Sequence, residues 1–294
     1  SLASNVPGYL VSELIKNNVW QPAQGLAYAQ QVQNPWQRAE SINAIVPYMP
    51  EALLPEVIKA NHRIKDASYR SYVLSALANR FPKVWPEALT TVEQIHDRYG
   101  DHRKQAKGFA CRSIAICKIV EDIPWQYLEE VTEIVQQIPE ASDQAMAWIS
   151  LARRDSALWQ EALNSALNIK EKPERVKKLI PIAQNLPKLW SEALDTAREI
   201  RDIYNRVWAL IEIAQGLPEQ LPELWSEVLT LSRKMKDPHS RAWAFSAIAQ
   251  HEPELWTETL TLTKEIKDIN MQADVLGEIV RHLPDNQWPE AINI

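Results

Sequence analysis

The sequence predicts an all-α protein, a right-handed α-solenoid of about eight αα-hairpin repeats, 31–35 residues each, with half-repeats at both ends. Three observations carry that reading. A tryptophan or its stand-in recurs at Trp20, Leu54, Trp85, Trp125, Trp159, Trp190, Trp225, Trp256 and Trp288, at steps of 31 to 40 residues. Apolar residues after each of these fall at helical spacing, not at the alternation of a strand. Six glycines in 294 residues leave little material for hairpin turns.

The stretch Leu189 to Pro218 shows how one repeat is built. Trp190, Ala193, Leu194, Ala197 and Ile200 stand at offsets 0, 3, 4, 7 and 10 and line one face of a first helix. Counting again from Arg206, residues Ala209, Leu210, Ile213, Ala214 and Leu217 line a second. Asp202 between them is a natural N-cap, its short carboxylate accepting from otherwise orphan N–H groups. Pro218 blocks continuation of the second helix. One such hairpin leaves an apolar face uncovered, so copies must stack.

The second helices carry the strictest positions. Seven residues after the Arg position stand Ile45, Leu77, Ile119, Leu151, Ile182, Ile213, Ile248 and Ile279. The next position holds Val46, Ala78, Val120, Ala152, Ala183, Ala214, Ala249 and Val280, small enough for neighbouring helices to approach closely. These two rows are the expected seam between hairpins. The domain reading is therefore a single solenoid over residues 1–294, with an N-terminal half-repeat over 1–19, eight hairpins over 20–287 and a partial ninth repeat over 288–294. Ser1 in the place of an initiator Met and the two partial repeats together suggest a piece of a longer multidomain protein.

The third repeat departs most. Eleven residues, DHRKQAKGFAC, are added between Asp97 and Arg112, where the usual spacing is four. Read as helix capped by Asp101, they extend the second helix by about three turns. Arg98, His102, Arg103, Lys104 and Lys107 make this a basic knob on an acidic chain, either a contact site or a solvated helix face. The fourth repeat replaces Arg by Gln144 and puts Trp148 in a core position. A duplicated LPEQLPELW widens the turn before Trp225.

Charge and composition exclude several functions. A balance of 32 Lys and Arg against 38 Asp and Glu gives −6, which argues against a general nucleic-acid or anionic-membrane surface. Two cysteines, Cys111 and Cys117, are too few for a disulfide framework and fit a reducing compartment. There is no secretory signal and no apolar run of membrane-spanning length, so a cytoplasmic location is expected. With His96 and His102 the cysteines form one local cluster whose spacing matches no zinc pattern. No phosphate loop, nucleophile elbow or inward carboxylate pair is present, so neither catalytic residues nor a cofactor is expected.

Two patterns remain to be explained. Asp66 with Arg70, Glu171 with Arg175, Asp202 with Arg206 and Asp237 with Arg241 recur four apart, a spacing that permits a cap plus an ion pair and lets the guanidinium reach the next hairpin. Glu87, Glu161, Glu192, Glu227, Glu258 and Glu290, two after the tryptophan position, complement the helix dipole. The position two after Arg turns away from the packed side and holds Tyr72, Trp208 and Trp243. Gln184, Gln215 and Gln250 lie on the same side and can hydrogen-bond an extended peptide. These six residues are the candidate binding stripe on the concave wall, since aromatic side chains are favoured anchors.

Through IKDIN before a second helix and IAQxLPxLWxEAL after one, the chain resembles HEAT-like and TPR-like repeats, and most nearly the hairpin repeats in the tails of bacterial, often cyanobacterial, STAND signalling ATPases. The resemblance implies a non-enzymatic scaffold or sensor that binds a protein or peptide and reports to an attached effector domain. An enzyme or enzyme subunit of the HEAT-like bilin-lyase kind and a purely structural spacer are the alternatives.

Overall fold

The computed structural model describes residues 6–95, 112–217 and 221–294, and every regular element among them is helical. First helices of the repeats are α2 (Pro22–Gln31), α4 (Leu54–His62), α6 (Trp85–Glu93), α8 (Leu128–Gln136), α10 (Trp159–Leu167), α12 (Trp190–Arg198), α14 (Pro222–Ser232), α16 (Trp256–Lys264) and α18 (Trp288–Ala291). Second helices are α1 (Gly8–Lys16), α3 (Pro35–Ile45), α5 (Ala67–Arg80), α7 (Arg112–Ile119), α9 (Ala141–Ala152), α11 (Lys172–Asn185), α13 (Ile203–Gly216), α15 (Pro238–Ala249) and α17 (Ile269–Ile279). The chain divides into two compact units, Ser1–Ser165 and Ala166–Ile294. In the first, α1, α3, α5, α7 and α9 pack in succession; in the second, α11, α13, α15 and α17 do the same. No helix is long and apolar enough to cross a membrane among the described residues.

The seam forms where the sequence places it. Ile45, Leu77, Leu151, Ile182, Ile213, Ile248 and Ile279 have no solvent exposure, and Ile119 has almost none. The following row is buried as well, except for Val280, which is half-buried. Burying a branched aliphatic side chain contributes about 1.5–3 kcal/mol, so this one row supplies much of the drive to stack. Trp148 is buried, as its core position requires.

Asp66, Asp202, Asp237 and Asp268 each accept from backbone N–H groups in the first turn of the helix that follows, and Asn34 does the same before α3. At the other end of the second helix the closing proline does more than stop it. Pro82, Pro187 and Pro253 begin single 3₁₀ turns that lead straight into Trp85, Trp190 and Trp256. Proline's fixed φ and missing donor suit a first-turn position.

The structure corrects two assignments of the opening residue. In the fourth repeat the 3₁₀ turn covers Trp125–Tyr127, and α8 opens at Leu128. Val131, Val135 and Ile138 are buried at offsets 3, 7 and 10 from Leu128, whereas Trp125 is 61% exposed with the Arg154 guanidinium 5.0 Å from its ring centre. In the first repeat α2 opens at Pro22, and the buried residues Gly25, Ala29 and Val32 keep the same offsets from it. Trp20 lies outside the helix and packs on Tyr28 at 5.7 Å. A leucine and a proline hold the two positions that tryptophan was expected to fill. The widened turn before Trp225 also resolves differently, because α14 starts three residues early, at Pro222, as regular helix.

Replacing buried Trp256 by Ala is expected to destabilise the chain by about 3–5 kcal/mol, and replacing exposed Trp125 by about 1 kcal/mol or less, the worth of its cation–π contact. Urea unfolding followed by circular dichroism measures both; equal losses would restore Trp125 to the core.

Candidate functional site

The Arg position, held by Arg38, Arg70, Arg112, Gln144, Arg175, Arg206, Arg241 and Gln272, seals the preceding first helix in every repeat except that of Arg241, whose Nε is buried without a hydrogen-bond partner. A first helix ends with carbonyls that have no intrahelical donor. Arg38, Arg175 and Arg206 donate through Nε to Val32, Ile169 and Ile200 at 2.8, 2.9 and 2.6 Å, each acceptor six residues upstream. Arg70 donates to Ile64 and Lys65. Arg112 reaches Glu93 and Ile95 across the inserted residues. Gln144 stands in with its amide on Val135 and Gln136, and Gln272 donates to Thr263.

The expected ion pair from Asp to Arg four residues on does not close among the described residues. Asp66 and Asp202 are committed to N–H groups of the second helix and Arg70 and Arg206 to carbonyls of the first, so together they stitch both sides of one turn; Glu171 makes no cap bond, and Arg241 turns to the next hairpin. The reach to the next hairpin does occur, from Arg70 to Gln94 at 2.9 Å and from Arg241 to Glu265 at 2.9 Å. Hydrogen bonds from Ser240 hold the Asp237 carboxyl below its ordinary value. Its contribution to stability is therefore present above the unfolded-state pKa and is lost as pH falls through the lower native one.

On the first helices, the glutamates two after the opening position do more than face the dipole. Glu87, Glu227, Glu258 and Glu290 pair with His62, Arg198, Arg233 and Lys264 at 2.5, 2.8, 3.3 and 3.2 Å. Each partner sits eight residues after Leu54, Trp190, Trp225 or Trp256 of the preceding repeat, so the ladder runs from hairpin to hairpin. Exposed pairs of this kind contribute about 0–1 kcal/mol each.

The position two after Arg is where the candidate binding residues lie. In the second unit, Trp208 on α13 and Trp243 on α15 meet edge to face with ring centres 6.4 Å apart, and Tyr204 meets Trp208 at 6.1 Å. Both indoles are half-buried, and Tyr204 is 46% exposed. His239 accepts from Trp243 Nε1 at 3.2 Å. Gln184, Gln215 and Gln250 are exposed. In the first unit, Tyr72 stacks on Trp36 at 5.5 Å and accepts from Asn43 Nδ2 at 2.9 Å. Burial pushes the Tyr72 hydroxyl above its usual pKa, with Glu40 adding to the shift. Tyr72 thus has a packing partner, and so do both tryptophans; none of the three projects alone into solvent.

The same position on α7 and α9 holds Ile114 and Met146, which are apolar but not aromatic. With Cys117, Lys118 and Glu121 they line a cavity of about 290 Å³. The Cys117 thiol accepts from Ser150 Oγ at 3.0 Å and lies 3.8 Å from the Met146 carbonyl. Arg98, His102, Arg103, Lys104 and Lys107 fall outside the described residues, as do His96, Asp101 and Cys111. Among the described residues no group of three His, Cys, Asp or Glu could hold a metal ion.

No family model matches this chain, and no curated protein does. A solved structure, Ton1535 from Thermococcus onnurineus NA1, aligns over 92% of this chain and 90% of its own, at 13% identity and a TM-score of 0.30. Similarity that low carries no argument about fold or function.

A double-mutant cycle tests the division of labour in the turn. Asp202→Ala is expected to cost about 1 kcal/mol for the lost cap, and Arg206→Leu about 1–3 kcal/mol for stranded carbonyls. Their coupling energy should stay below about 0.5 kcal/mol; a larger favourable coupling would reinstate the ion pair.

Proposed function

We propose that this chain is a non-enzymatic recognition module that binds an extended protein or peptide segment along the outward face of its second helices. The observation that carries the reading is the Tyr204, Trp208 and Trp243 cluster. Three aromatic rings on two adjacent helices are locked against one another by edge contacts, half-buried and unused by the seam. Aromatic side chains held in this way dominate binding energy where interfaces have been dissected, because they cover large area with few rotors to freeze. Exposed Gln215 and Gln250, two turns further along the same helices, supply the adaptable hydrogen bonding that an extended backbone needs. The net charge of −6 favours a protein or peptide partner over nucleic acid.

As a scaffold or sensor arm, the module serves in the cytoplasm of a bacterial cell and passes binding on to an attached effector domain. That assignment rests on the repeat resemblance. The binding reading rests on the aromatic cluster.

Panning a library of displayed extended peptides against the chain provides the probe. Selected peptides should lose about tenfold or more in affinity when Trp208 and Trp243 are both replaced by Ala, with helicity by circular dichroism unchanged. Peptides that bind the double variant as tightly as the parent would refute the assignment.

A further inference from the structure

In the second unit the position two after Arg holds Lys177 on α11, Trp208 on α13, Trp243 on α15 and Asp274 on α17. Those four helices pack in succession, so the row carries a cation at one end, two indoles in the middle and an anion at the other. Both charges are open to solvent. The Lys177 side chain is 58% exposed and stands 3.9 Å from Glu174, whose carboxylate Lys178 holds more closely, at 3.2 Å. Glu278, one turn beyond Asp274, takes Arg281 at 2.9 Å and His282 at 3.7 Å, and no ion pair involves Asp274 among the described residues. The corresponding row of the first unit, Glu40, Tyr72, Ile114 and Met146, has a single charge and no such order.

Spacing along the row matches one extended conformation and not another. The Trp208 and Trp243 ring centres are 6.4 Å apart, closer than adjacent helix axes, which stand about 8–10 Å apart. A β-extended segment rises about 3.3 Å per residue and returns a side chain to the same face every second residue, about 6.6 Å on. A polyproline helix returns one only every third residue, about 9.3 Å on. Alternate side chains of a β-extended segment therefore fall on the two indoles. From either indole to the charge on the next helix is one helix spacing, or about three residues of that segment.

We infer that the partner of this face is a β-extended segment with two apolar side chains separated by one residue, an acidic residue about three positions away on the Lys177 side and a basic residue about three positions away on the Asp274 side. This rests on the binding role proposed above for the aromatic cluster, and it assigns that partner's charge order and spacing. The indoles supply the affinity. Exposed charge pairs add little each, so the two ends set register and choice of partner.

Isothermal titration of the 294-residue chain with end-blocked nine-residue peptides tests it, in about 0.15 M salt so that the net charge is screened beyond about 8 Å. The reference peptide has glutamate first, leucine fourth and sixth, lysine last and serine elsewhere. One comparison peptide replaces the glutamate by lysine, and another moves the second leucine to the seventh position. The reference should bind about fivefold more tightly than either. Lys177→Glu should reverse the first preference by a similar factor, so that lysine at both ends becomes the better ligand; a merely structural role for Lys177 would leave the order unchanged. Equal affinity of the reference and either comparison peptide, with binding lost when Trp208 and Trp243 are both replaced by Ala, would overturn the charge order or the spacing and leave the aromatic anchor standing. Binding by none of the three at about 1 mM, or binding that the double variant keeps, would overturn the anchor as well.

Discussion

A hairpin of two short helices cannot cover its own apolar stripe, and that constraint governs nearly everything in this chain. Helices of four to fourteen residues are marginal on their own in water. Their stability comes from the row of branched aliphatics seven residues after the Arg position, closed on all sides by neighbouring hairpins. Because each joint uses the same pair of surfaces, the positions that serve it are restricted to Ile or Leu in one row and Ala or Val in the next. Positions outside the joint are free to differ.

The turn inside each hairpin obeys a second constraint, set by backbone groups that helix ends leave unpaired. At Asp66 and Arg70, and again at Asp202 and Arg206, an aspartate closes the start of the second helix and an arginine four residues on closes the end of the first. Gln144 and Gln272 retain the arginine's role because what the position requires is a long donor, not a positive charge. Geometry therefore decides this position more than electrostatics, and local charge pairing is a poor guide to it. The four-residue spacing invites an ion pair on paper, but Arg38, Arg175 and Arg206 donate to a carbonyl six residues upstream.

Period, helix type, caps and seam were all legible in the letters, since each depends on offsets within one repeat. The opening residue was less so. Tryptophan is conspicuous, and at Trp20 and Trp125 the letter outweighed the pattern around it; Val131, Val135 and Ile138 were there to show that Leu128 holds the core position. The ladder from His62 to Glu87 and from Arg198 to Glu227 was hidden for a different reason. It connects offset eight in one repeat with offset two in the next, so no reading confined to a single hairpin contains both partners. The contact of Trp208 with Trp243 joins the same position in successive helices, and for that reason alone its members could be named in advance. Their mutual packing could not, because it depends on the angle between α13 and α15.

Variation between repeats bears directly on function. The position two after Arg runs through Glu40, Tyr72, Ile114, Met146, Lys177, Trp208, Trp243 and Asp274, crossing charge, aromaticity and size, while five residues further along the same helices only branched aliphatics occur. A position that merely needed to stay soluble would be polar throughout, and one that filled the seam would be uniform; this position touches the neighbouring second helix at Tyr72, Met146, Trp208 and Trp243 without being uniform. Apolar and aromatic side chains, half-exposed and confined to particular repeats, fit neither requirement. Under the proposed binding role, individual repeats would carry on these positions the contacts that distinguish one partner from another, on helix faces held by the packing of neighbouring hairpins.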